Sequence, residues 1–117
     1  MWLGPGRRVN IAPDGRLTRL VLLAPPTGFF QAPGALDAVR VPVLAWAGSE
    51  DGITPPSQIE WLAQAMRDWQ TVDVRVTAGA GHFSFMDLPP PQITEPLPNK
   101  QAFLKECSSE VCKFVAG

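Results

Sequence analysis

The run "VRVPVLAWAG" (Val39–Gly48) is apolar at every position from Val41 to Ala47, with no polar residue left to face water. A strand of this kind needs cover on both faces, as a strand inside a helix-layered parallel sheet has. Pro42 falls near its start, where a strand tolerates a missing N–H best. Two further runs read as strands. "RLTRLVLLAPP" (Arg16–Pro26) begins with alternation and ends as the apolar run Leu20–Ala24. In "VDVRVTAGAG" (Val72–Gly81), Val72, Val74 and Val76 alternate with Asp73, Arg75 and Thr77, which predicts one buried and one polar face.

Between the second and third strands, "TPPSQIEWLAQAMRDW" places Ile59, Leu62, Met66 and Trp69 on one helical stripe. Ser57 with Glu60 predicts a capping box, and Thr54 before Pro55 offers a second start. A closing helix covers "NKQAFLKECSSEVCKFVA", with Asn99 as cap and Phe103, Cys107, Val111 and Phe114 as its stripe. "GFFQAPGALDAV" has room for one turn of helix at "GALDAV", and "DLPPPQITEPLPNK" reads as a surface loop. The order strand, short crossover, strand, helix, strand, helix predicts an α/β fold: a three-stranded parallel sheet with flanking helices, in one domain over residues 1–117. Three strands are few for such a sheet, so a strand edge is expected to lie open unless a second copy or a partner chain pairs with it.

Composition narrows the function classes. A net charge of −1 with scattered Lys and Arg leaves no footprint for nucleic acid. No apolar run approaches the roughly 20 residues of a membrane span, and "MWLGPGRRVN" lacks the apolar centre of a signal peptide, so a cytoplasmic setting is expected. Cys107 and Cys112 stand about 140° apart around a helix, which suits neither a disulfide nor a metal pair, and both are expected at core or boundary positions. A single histidine cannot build a zinc site of the usual type, and no Gly-rich phosphate loop occurs, so no cofactor is implied.

The chemistry-bearing residues stand at strand ends. "GSEDGITPP" follows the second strand and offers Glu50 and Asp51; "AGAGHFSF" follows the third and carries His82. In open α/β sheets, sites form at the carboxyl ends of strands, so neighbouring second and third strands would bring Asp51 and His82 to one rim. An acid beside a histidine fixes its tautomer and stabilises the imidazolium. Taken alone, Asp51 reads more readily as a helix or turn cap, and His82 as a structural or merely exposed residue. Phe29, Phe30, Phe83 and Phe85 flank the rim, either lining an acyl pocket or packing in the core.

"VRVPVLAWAGSEDGITPPSQIEWLAQAM" followed by "VDVRVTAGAGHFSF" resembles the C-terminal half of the α/β-hydrolase superfamily, more weakly its dienelactone-hydrolase-like branch. The resemblance runs from about Arg16 to the end and leaves 1–15 unassigned. It implies Asp51 as triad acid in a Gly-x-x-Asp turn, His82 as general base, and Glu50 as a solvent-facing neighbour. It also implies hydrolysis of an ester, lactone or thioester. The family's order is nucleophile, acid, histidine, with the nucleophile on a Gly-x-Ser-x-Gly elbow, and no such elbow occurs here. Ser49, Ser57, Ser84, Ser108 and Ser109 all fall outside one, and neither cysteine follows a strand. The expectation is therefore two of three triad members and no activity from this chain alone. The alternative is a non-catalytic remnant or assembly module pairing through its open edge.

Overall fold

The computed structural model describes residues 14–117; the expectation for the Met1–Asn10 stretch lies outside the described residues. Three strands, β1 (Leu20–Leu23), β2 (Val43–Gly48) and β3 (Val72–Thr77), form a parallel sheet in the order β1-β2-β3. Helix α1 (Ser57–Ala65) connects β2 to β3, and α2 (Lys100–Ala116) closes the chain. Short 3-10 turns occupy Gly28–Phe30 and His82–Phe85.

The register explains the apolar run. Leu22, Ala45 and Val74 lie side by side, as do Val21, Leu44 and Asp73, so each row of paired residues faces one side of the sheet. Val43, Ala45, Ala47 and Val72 pack against Ile59 and Leu62 of α1 and Met66 just past its end, while Leu44 and Trp46 pack against Phe103 and Cys107 of α2. Every residue of β2 is buried, because α1 covers one face and α2 the other. Trp46 meets Phe103 and Phe85 edge-on, with ring centroids 6.0 and 6.4 Å away. Its indole N–H is satisfied by the Thr77 hydroxyl at 2.8 Å. Among the described residues, β1 and β3 each pair on one side alone.

Several local expectations change. Residues 33–38 form successive turns rather than a helical turn: Ala35, Asp37 and Val39 donate to the carbonyls three residues before them. Gly34 adopts φ +79°, a left-handed conformation that interrupts any right-handed helix. The Ser57–Glu60 capping box does not form. Pro56 is the cap residue, already in right-handed helical geometry, with no side-chain cap bond. Two prolines before Ser57 have no N–H to satisfy, so Ser57 opens the helix instead of capping it. Helix α1 also stops at Ala65, and Trp69 reaches the core from the turns beyond, its indole donating to Val39 O at 3.1 Å. Asn99 caps α2 as its position predicts, accepting from Ala102 N–H at 3.0 Å. Cys107 is buried, but Cys112 is exposed rather than at a boundary, since it points off the stripe that faces the sheet. Phe29 is 84% exposed, in neither a core nor the rim cavity described below.

Burial and capping give the first expected outcome. Leu62→Ala should lower unfolding free energy by about 2–5 kcal/mol, and Asn99→Ala by about 1 kcal/mol, as measured by urea denaturation followed through tryptophan fluorescence.

Candidate active site

The loops after β2 and β3 leave the sheet at the same rim and are bonded to each other before either reaches a functional side chain. Gly48 ends β2 with the Ala80 carbonyl pressed against it: a Cβ built on Gly48 would lie 2.2 Å from that oxygen. Only glycine permits the approach. Around it, Ser49 N–H donates to Thr77 O at 3.0 Å and Glu50 N–H to Ala80 O at 2.8 Å. The Ser49 hydroxyl accepts from Gly79 N–H at 2.8 Å, and Gly79 turns the second loop with φ +85°. These contacts hold the two loops together.

The structure brings Asp51 and His82 into contact. Asp51 Oδ2 lies 2.8 Å from His82 Nδ1, with the carboxylate fully buried and the imidazole 26% exposed. The other oxygen, Oδ1, accepts from Ile53 N–H at 2.8 Å and Thr54 N–H at 2.7 Å. The cap and the histidine partner, which the sequence offers as alternatives, are thus both present, one on each oxygen. Burial alone would push the Asp51 carboxyl up. The Thr54 N–H, His82, the Ile53 N–H and the Thr54 hydroxyl together outweigh it and hold the group below the ordinary carboxylate range. An ionised carboxylate only accepts, so Nδ1 carries a proton toward it, and in the neutral ring the lone pair is on Nε2. Nothing among the described residues hydrogen-bonds Nε2.

His82 lines a cavity of about 400 Å³ with Glu50, Ile53, Phe83, Ile93 and Pro96. Glu50 is exposed, its side chain on the cavity's rim rather than on the histidine. The stretch read as a plain surface loop contributes Ile93 to Pro96 to this cavity. Its anchor is Glu95, which accepts from the buried Ser84 hydroxyl at 2.6 Å and lies 3.7 Å from Lys100 Nζ. Ser84 in turn accepts from Gly81 N–H at 2.8 Å. Sequence reasoning missed Glu95 and Thr54; the one available signal was Ser84, a serine two residues past the histidine with no exposed role.

No described hydroxyl or thiol hydrogen-bonds His82 Nε2, and Thr54, the one hydroxyl on the ring, is on Nδ1. Ser49 and Ser84 are engaged as above, Ser57 opens α1, and Ser108 and Ser109 are exposed on α2. Burial raises the Cys107 thiol above its usual range, which keeps it protonated. Among the described residues, no three His, Cys, Asp or Glu side chains cluster as metal ligands, and no helix is long and apolar enough to cross a membrane.

No protein-family model matches the chain, and no curated protein matches it significantly. A solved structure does: that of a protein of unknown function from Agrobacterium tumefaciens, provisionally assigned to the alpha/beta hydrolases. It superposes with a TM-score of 0.60 at 16% identity, covering 86% of this chain. At that identity the likeness shows the fold, which is α/β with a three-stranded parallel sheet. The chain spans 41% of that protein's length.

Two outcomes follow. Gly48→Ala should cost about 2–4 kcal/mol in urea denaturation, since the Ala80 carbonyl must move. Because the Asp51 carboxyl is depressed on folding, its contribution is complete above the unfolded-state value of about 4 and is lost as pH falls through the folded-state value. Unfolding free energy measured from about pH 6 to pH 2 should therefore decline on acidification, and Asp51→Asn should be less stable at neutral pH with a flatter profile.

Proposed function

We propose that the chain is the C-terminal portion of an α/β-hydrolase-type acyl hydrolase. In this reading Asp51 orients His82, and His82 is the acid/base of a triad whose serine or cysteine nucleophile comes from polypeptide outside this sequence. The observation that carries it is the Asp51–His82 pair, with Nδ1 committed to the carboxylate and Nε2 left free beside a cavity. That arrangement suits proton transfer from a nucleophile to Nε2, with the carboxylate stabilising the imidazolium. The cavity's apolar side chains, Ile53, Phe83, Ile93 and Pro96, suit the acyl or alkyl part of an ester, lactone or thioester. A dienelactone-hydrolase-like placement belongs to this proposal as its finer form.

A second reading is a non-catalytic assembly module, favoured by one feature. The outer strand β1 carries the partly exposed Leu20 and Leu23, with the more exposed Leu17 before it. A second copy or partner chain pairing there would cover these leucines.

The purified chain should show no turnover of a p-nitrophenyl ester. Co-expression with a polypeptide carrying preceding strands and a Gly-x-Ser-x-Gly elbow, encoded in a neighbouring reading frame, should restore it. His82→Ala should then reduce turnover by on the order of 10⁶-fold, as loss of a triad histidine does. Restored turnover that His82→Ala leaves unchanged would overturn the hydrolase reading.

A further inference from the structure

Thr54 has so far figured as a partner of Asp51, yet its buried hydroxyl has three polar neighbours. Oγ1 lies 2.9 Å from Ala24 O, 2.9 Å from His82 Nδ1 and 3.0 Å from Asp51 Oδ2. A hydroxyl has one hydrogen. Ala24 O and the Asp51 carboxylate can only accept, so they compete for that hydrogen. Nδ1–H can only donate. Whichever way the hydroxyl turns, it meets Nδ1–H with a lone pair.

We propose that Thr54 is a positioning residue for His82, the second acceptor of its Nδ1–H, and that it ties the ring to the end of β1. The threonine is itself held firmly. Its N–H is bonded to Asp51 Oδ1 at 2.7 Å, and its branched Cβ restricts χ1. Ala24, just past β1, takes φ +50°, a conformation costly for a non-glycine residue, and there its N–H donates to Trp46 O at 2.7 Å while its carbonyl accepts from Thr54. One acceptor would leave the imidazole free to swing about a single hydrogen bond. Two acceptors from different parts of the loop restrict the ring and fix where Nε2 points.

This inference rests on the reading of His82 as the base, but its test reads the ring and needs no turnover. His82 is the only histidine, so long-range ¹H–¹⁵N spectra of the whole chain report it without overlap. The wild type should show the Nδ1–H tautomer with a slowly exchanging Nδ1 proton. Thr54→Val keeps the shape and removes the oxygen. It should accelerate Nδ1–H exchange roughly five- to tenfold, the factor corresponding to one neutral hydrogen bond, and allow the second tautomer to appear. Thr54→Ser should stay within about twofold of wild type, since the acceptor remains. An unchanged ring in Thr54→Val, with only the melting temperature lowered, would reduce Thr54 to a structural link and overturn the proposal. So would a serine variant as perturbed as the valine one. Should Thr54→Val not fold, the wild type still decides: an Nε2–H tautomer there overturns the proposal outright.

Discussion

The candidate site depends on one close approach, the Ala80 carbonyl against the α-carbon of Gly48. With it, the backbones after β2 and β3 share hydrogen bonds, and the residues that follow, Asp51 on one side and His82 on the other, emerge within reach of each other. A side chain at position 48 would force the two loops apart. The Asp51–His82 geometry is therefore a consequence of backbone packing at the sheet rim, and it rests on a residue with no chemistry of its own.

Burying a carboxylate is costly unless every lone pair is used. Asp51 meets this condition with two backbone N–H groups on one oxygen and the imidazole on the other, where the Thr54 hydroxyl also reaches it. The same logic extends outward. Ser84 and Glu95 satisfy each other beneath the histidine turn, and no buried side-chain nitrogen or oxygen lacks a partner among the described residues. Among the described residues, Ala24 alone of the non-glycine residues holds a left-handed conformation, in the same region, where β1 gives way to the loop that Thr54 contacts.

Much of the fold was legible in the sequence, because burial patterns are local. The unbroken apolar run of β2 announced cover on both faces, and α1 and α2 supply it. Asn99 stood where a cap must stand. The failures were local patterns overruled by neighbours. Ser57 and Glu60 match a capping box, but two prolines and the pull of Asp51 on residues 53 and 54 place the helix start so that serine lies inside it. The loop carrying Ile93 to Pro96 had no periodicity to interpret, and only the Ser84–Glu95 bond reveals that it borders the histidine.

The sequence by itself determined the α/β order, the two-sided burial of β2 and the presence of an acid and a histidine after successive strands. Hydrophobic periodicity is written residue by residue, though in β3 it misled, since Val74 and Val76 are exposed beside the outer strand edge. Only the tertiary structure decided that Asp51 divides its oxygens between a turn and His82, and that Thr54 stands beside the imidazole. It alone also folds a proline-rich loop back to bound the cavity. Those outcomes depend on distances between residues some thirty positions apart, which short-range sequence patterns do not encode.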